Sequence, residues 1–264
     1  MIVDSHCHLF FQKLRCELGE VLDRARSAGV GKVVTIGTDL EDSRWGAELA
    51  GQEEGVLAAA GIHPTSVVEA AHGDYIGELR QIASVHSVAA IGEIGFDFYH
   101  DPPDGMGWGE YKERQEVAFR AQMDLAAELG LNVVIHTRNS FDETAAVVAE
   151  YAGRVRTVFH CYSGTLAQAR ELIDAGHLVS FTGIVTFKNA REVQETAAAL
   201  PAGSFLVETD APFLAPTPHR GKRCEPAYTR LTADFIANLR GVALGQISEE
   251  TTAAAADFFR GLTE

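Results

Sequence analysis

A chain of 264 residues with 46% hydrophobic and 22% charged residues has the make-up of a folded globular protein with one substantial core, which excludes a disordered segment. Its 22 Lys and Arg against 37 Asp and Glu leave a formal charge of -15, which argues against a surface that coats nucleic acid non-specifically. No apolar stretch is long enough to span a bilayer, and Met1-Ile2-Val3-Asp4 lacks the basic and apolar regions of a secretory signal, so a cytoplasmic protein without membrane attachment is expected.

Short β-branched runs alternate along the chain with longer segments rich in Ala, Leu, Glu and Arg at helical spacing. The first run, Ile2-Val3, leads into Asp4-Ser5-His6-Cys7-His8. Side chains two apart in a strand point the same way, so His6 and His8 share a face and Cys7 takes the other. A helix over 17–29 follows, with Gly29 placed for a left-handed cap, then a strand over 33–36, a helix over 41–54 and a strand over 56–60. The strand over 88–91 runs into Gly92-Glu93, and the Pro- and Gly-rich stretch 101–109 reads as a surface loop before a helix over 110–130. Strands over 132–135 and 156–159 stop at His136 and His160, with helices over 139–152 and 165–176 after them, the second closed by Gly176. A strand over 178–181, a helix over 189–200 and a strand over 204–207 precede Glu208-Thr209-Asp210. Helices over 226–240 and 248–262 would complete an outer ring. Eight strand runs alternating with helices predict an α/β fold, a (β/α)8 TIM barrel forming one domain over residues 1–264.

Barrel enzymes place their chemistry at the C-terminal ends of the strands. Four histidines and two carboxylates, His6, His8, Glu93, His136, His160 and Asp210, fall at such ends, which predicts a dinuclear metal site. Glu93 is the natural bridge, because a carboxylate offers two oxygens whereas a neutral imidazole offers one lone pair. His6, His8 and Asp210 would complete one site, and His136 with His160 the other. Two divalent ions would then activate water, with Asp210 as the base that takes its proton. Mixed nitrogen and oxygen donors suit Zn²⁺, Mn²⁺, Fe²⁺ or Co²⁺ better than Mg²⁺, and the sequence leaves the identity open. The four cysteines, Cys7, Cys16, Cys161 and Cys224, form no Cys-x-x-Cys pair, which disfavours both disulfides and a thiolate zinc site.

The segments DSHCHL (4–9), GIHP (61–64), GEIGFDFY (92–99), IHTR (135–138), FHCYSG (159–164), ETDAPFLAP (208–216) and PHRGKRCEP (218–226) resemble, in order and end to end, the TatD family of metal-dependent deoxyribonucleases. Phe96 and Phe98 stand where family members often carry Leu and Tyr. The resemblance implies a metal-dependent hydrolase barrel, the same six ligands, and a phosphodiester as substrate; the substrate expected is DNA cleaved from a strand end, with RNA as an alternative. No obligatory protein partner is implied. A related hydrolase acting on an ester or amide, such as an aminoacyl-tRNA ester, is the alternative, although Glu93 stands where the amide-hydrolysing branches often carry a carboxylated lysine. A catalytically idle barrel that keeps its metal as a staple is the remaining one.

His63, after the third strand, and Arg138, two beyond His136, are placed to reach a phosphate, with an ion pair to Glu208 as the other role for Arg138. Asp4, Asp97 and Glu208 are candidates to support the ligands from behind, Asp4 and Glu208 by sharing a strand face with His6 and Asp210. The run His219-Arg220-Gly221-Lys222-Arg223 is the one dense basic patch, and Arg220, Lys222 and Arg223 are expected to guide substrate. Tyr99, Trp108, Tyr162 and Phe187 could stack on bases, with packing as the plainer role of each.

Overall fold

The computed structural model describes residues 1–70 and 73–262. Eight strands, β1 (Ile2–Cys7), β2 (Val30–Ile36), β3 (Val56–Ala60), β4 (Val88–Asp97), β5 (Asn132–Arg138), β6 (Thr157–Phe159), β7 (Leu178–Phe181) and β8 (Phe205–Val207), pair in parallel in sequence order. A parallel bridge between Cys7 and Ala211 brings the two edges together, so the sheet forms a nearly closed (β/α)8 barrel. Around it lie α1 (Gln12–Arg15), α2 (Leu18–Ser27), α3 (Leu40–Ala50), α4 (Val67–Ala70), α5 (Tyr75–Ala83), α6 (Trp108–Leu129), α7 (Phe141–Ala149), α8 (Leu166–Asp174), α9 (Arg191–Ala199), α10 (Thr229–Arg240) and α11 (Leu244–Phe258).

Alternation along each strand splits the apolar side chains between two clusters. Val33, Val56, Val133, Phe159 and Val179 face the helices and pack with residues such as Leu22, Leu79, Phe119 and Leu172. Val34, Leu57, Val134, Val158 and Leu206 fill the barrel interior. The C-terminal segment departs from the expected outer ring: Ile247 packs with the helices, but Ala254, Ala255, Phe258, Phe259 and Leu262 join the interior cluster. Hydrogen bonds from Asn132 Nδ2 to the Phe258 carbonyl (2.6 Å) and from the Arg260 N–H to the Ala89 carbonyl (3.2 Å) fix this segment as a floor under the N-terminal strand ends. Each large apolar side chain buried in this way contributes about 1.5–3 kcal/mol. With one end of the barrel plugged, the opposite mouth is left for the site.

Gly29 and Gly176 adopt φ of +86° and +89°, the left-handed conformation that ends a helix without a Cβ penalty. The strand over 88–91 continues past its expected end to Asp97 through a register shift between Ile91 and Ile94, and α6 begins at Trp108, inside the expected loop. Between β3 and β4, where the sequence pattern gave no helix, α5 is capped by the Asp74 carboxylate accepting from the Gly77 N–H. Among the described residues no helix is long and apolar enough to cross a membrane.

Candidate metal centre

The site begins at the end of β1. Cys7 turns away from the mouth, its thiol donating to the Val34 carbonyl at 3.4 Å, and His6 and His8 turn toward it. The Ile36 carbonyl lies 3.0 Å from His8 Nδ1 and can only accept, so Nδ1 carries the proton and Nε2 keeps its lone pair. His8 Nε2 stands 3.3 Å from His6 Nε2. His6 Nε2 lies 3.4 Å from Glu93 Oε2 and 3.8 Å from Asp210 Oδ1, and His8 Nε2 lies 3.8 and 3.3 Å from the same two oxygens. Two imidazoles and two carboxylates thus aim single atoms at one small space.

The other Glu93 oxygen addresses a different set. Oε1 lies 2.6 Å from His136 Nδ1 and 2.7 Å from His160 Nε2, with His63 Nε2 at 3.7 Å. Among the described residues, three overlapping groups of donors stand close enough to hold an ion: His6, His8 and Glu93; His63, Glu93 and His136; and His6, His160 and Glu208.

Local backbone irregularities aim these groups. Register shifts fall between Asp4 and Cys7 in β1 and between Ile91 and Ile94 in β4, at the segments bearing His6 and Glu93. Such bulges re-aim side chains beside active sites. Gly95 has φ +144°, and a Cβ there would collide with the His136 carbonyl, so only glycine lets β4 and β5 approach this closely. Asp210 and Cys161 hold left-handed φ of +59° and +48°, conformations that non-glycine residues keep only where their surroundings impose them. For Asp210 the imposing contacts are its N–H on the His6 carbonyl (2.9 Å) and the His8 N–H on the Ala211 carbonyl (2.7 Å).

Asp97 and Glu208 sit behind the imidazoles. Asp97 Oδ2 accepts from His136 Nε2 (3.0 Å) and His100 Nδ1 (2.8 Å), and its Oδ1 from the Tyr99 and His100 N–H groups, each at 2.9 Å. Glu208 Oε1 accepts from the Cys161 N–H at 2.7 Å and lies 3.4 Å from His160 Nδ1. Asp4 departs from the expected relation to His6. The β1 bulge breaks the alternation that would have put it on His6's face, and its carboxyl accepts from the Thr209 N–H (2.9 Å) and Thr209 Oγ1 (2.7 Å). It ties β1 to the segment bearing Asp210, and burial pushes its carboxyl up to about 8.

Burial would raise Glu93, but the charge of His160 and hydrogen bonds from His136 and His160 hold it well below the usual carboxylate range. Burial likewise opposes charge on His8, His136 and His160, yet the facing Asp210, Asp97, Glu93 and Glu208 carboxylates lift all three imidazoles above the ordinary value. His6 is lowered by burial and by the neighbouring His160, whose ring stacks on it at 3.9 Å. The acidic cluster therefore draws positive charge to the positions where the imidazole nitrogens converge.

The family model described as TatD related DNase matches residues 3–260. The chain belongs to the TatD family. It is a metal-dependent hydrolase, 34% identical over 255 residues to the uncharacterized metal-dependent hydrolase YcfH of Escherichia coli strain K12, covering 95% of this chain and 92% of that one. The uncharacterized metal-dependent hydrolase YabD of Bacillus subtilis strain 168 is 33% identical over 261 residues, covering 98% and 99%. Among solved structures, the TatD homolog YjjV from Escherichia coli K12 superimposes with a TM-score of 0.89 at 28% identity, covering 98% of this chain and 97% of that one.

In this TatD barrel the centre opens into a cleft of about 690 Å³ lined by His63, Arg138, Thr65, Ser163, Phe11 and Phe213 as well as by Glu93 and Asp210. The Thr65 N–H, which can only donate, lies 3.2 Å from His63 Nδ1, so the neutral ring carries its proton on Nε2, toward the cleft. Burial and the charge of His136 push this imidazole down to about 3. Arg138 forms no ion pair with Glu208; its guanidinium lies 3.7 Å over the Tyr99 ring.

The basic run is not brought into the cleft. Arg223 pairs with Glu17 and, at 3.1 Å, with Glu225, which also takes Arg24 Nη2 at 2.8 Å, so this charge clamps the loop after β8 to α2. Arg220 lies over the Phe187 ring at 4.3 Å, and Lys222 is exposed outside the lining. Tyr162 is buried with its hydroxyl on the Thr165 carbonyl, and Trp108 leans on Tyr111. The sequence reading passed over Phe10, Phe11 and Phe213, an aromatic group beside His8, and Gln115, whose side chain holds both backbone groups of Asp97. The pair Phe10-Phe11, two and three residues beyond His8, was the available signal.

Proposed function

We propose that the cleft would hold two divalent cations, with Mn²⁺, Zn²⁺ or Mg²⁺ as candidates and with His6, His8, Glu93, His136, His160 and Asp210 as the residues that would hold them, and that the enzyme hydrolyses phosphodiester bonds in DNA from a strand end. The observation that carries this reading is the division of Glu93: one oxygen stands with His6, His8 and Asp210, the other with His136 and His160. The donors fit such a pair, since imidazole nitrogens and carboxylate oxygens converge without a thiolate. A bound pair of divalent cations supplies Lewis acidity and water acidified to a pKa of about 7.

The protein's own groups do the rest. Burial would raise Asp210, but hydrogen bonding to His8 and its charge keep the carboxyl below its ordinary value, so it is ionised and able to accept the proton of attacking water. His63, neutral at working pH, donates its Nε2 proton to a phosphate oxygen, a role its pKa of about 3 protects from titration. Arg138, shelved on Tyr99, offers guanidinium donors to a second oxygen. Asp97 and Glu208 orient His136 and His160 so that a lone pair faces inward. The depth of the site, with His6 fully buried and Glu93 3% exposed, favours a strand that can leave its duplex, and the charge of -15 disfavours coating of intact duplex. The family description, TatD related DNase, supports the same substrate.

The test is incubation of metal-reconstituted protein with end-labelled single-stranded DNA, duplex DNA, RNA and small esters and amides. Metal-dependent shortening of single-stranded DNA is expected. Turnover of an ester or amide with no cleavage of any nucleic acid would overturn the reading.

A further inference from the structure

We propose that Phe11 and Phe213 form a stacking corner for the nucleobase next to the scissile phosphate, on the side of His6, His8 and Asp210, so that the enzyme requires an unpaired base there. The inference rests on the phosphodiester reading above and names the part of the substrate that the chain grips.

Phe213 is 48% exposed, and its N–H is pinned to the Asp210 carbonyl at 2.8 Å, so its position is tied to that of the proposed base. Its ring meets Phe11 at 5.2 Å and 85°, a right-angled pair that presents one face and one edge. Phe10 backs Phe11 at 4.5 Å and 27°, and both walls lie close to His8, at 5.9 Å for Phe11 and 6.4 Å for Phe213. Both line the cleft that holds Glu93 and Asp210. Apolar surface kept exposed at a site, in a fixed orientation and within aromatic contact distance of a proposed ligand residue, calls for a flat apolar occupant attached to whatever the centre holds. A nucleobase satisfies this, and because every base has a π face the corner tolerates any sequence. Tyr99 cannot serve equally, since it does not line this cleft and Arg138 already covers its ring. A base seated against Phe213 must have left its stack and its pair, so the corner selects single-stranded or frayed ends.

The experiment uses metal-reconstituted wild-type protein and the Phe213→Leu and Phe11→Leu variants, which keep apolar bulk but lose the ring. Single-stranded oligonucleotides carry either a normal nucleotide or an abasic tetrahydrofuran residue on one or the other side of the labelled scissile bond. For wild type, removing the base on one side should lower kcat/KM roughly 5- to 150-fold, the range of base–aromatic stacking, chiefly through KM. In the leucine variants the ratio of intact to abasic substrate should fall toward one. A ratio that persists in both variants, or a wild type indifferent to base removal on either side, would overturn the corner. Failure of the underlying reading looks different: wild type then cleaves no oligonucleotide, intact or abasic.

Discussion

Asp97→Asn should weaken metal binding by about 10- to 100-fold without unfolding the barrel, and the reason is a tautomer. Asp97 Oδ1 accepts two backbone N–H groups at 2.9 Å, and only an oxygen can do so. An asparagine at 97 must therefore keep its oxygen there and place its NH₂ at the Oδ2 position, 3.0 Å from His136 Nε2. A donor now faces a donor. His136 relieves this by moving its proton to Nδ1, the nitrogen 2.6 Å from Glu93 Oε1, and so loses the lone pair that would meet a cation. His100, whose side chain is 50% exposed, turns toward water at little cost. Loss of an orienting carboxylate typically costs about 10- to 100-fold in metal affinity, or about 1.4–2.7 kcal/mol. Calorimetric titration of chelator-stripped wild type and variant with Mn²⁺ measures this directly. Melting temperatures of the two metal-free proteins should agree within about 4 °C, since both backbone hydrogen bonds survive. Unchanged affinity would refute the orienting role, and a collapsed melting temperature would show that Asp97 acts on the fold instead.

Arg223→Ala should lower stability by about 1 kcal/mol or less, because Glu225 and Glu17 each keep Arg24 as a partner, while moving the salt dependence of KM for DNA little; urea unfolding and a salt series check the two halves. Metal affinity should fall as pH drops, and the fall should set in above 6.5, because His8, His136 and His160 hold protons more tightly than ordinary imidazoles and a cation must displace them. The sign reverses for the metal-free fold: raised imidazoles stabilise it fully below 6.5, and that stabilisation fades as pH rises through their folded values, so melting of chelated protein should worsen toward alkaline pH.

What local sequence could show depended on whether the signal was periodic. β7 runs over the expected residues 178–181, β5 extends beyond its expected end at 135 to Arg138, and the candidate ligands could be marked because each follows an apolar run. The extension of β4 was hidden because glycine is depleted in strands, whereas in the barrel Gly92 and Gly95 let β4 approach β5. Strict alternation places Asp4 with His6, and the bulge between Asp4 and Cys7 shifts the parity. Arg223 looked like a rim charge because its partners, Glu17 and Arg24's companion Glu225, meet only through tertiary folding across the α2 contact. Phe213 is distant in sequence from Phe10 and Phe11, and no one-dimensional pattern joins them.

Metal stoichiometry tests the central claim most directly. Wild-type protein reconstituted with excess Mn²⁺ or Zn²⁺ and desalted should retain two ions per chain by elemental mass spectrometry, and Glu93→Ala, which removes both bridging oxygens, should retain at most one while keeping a folded circular dichroism spectrum. A wild type that holds no ion, or a Glu93→Ala protein that still holds two, would contradict the account.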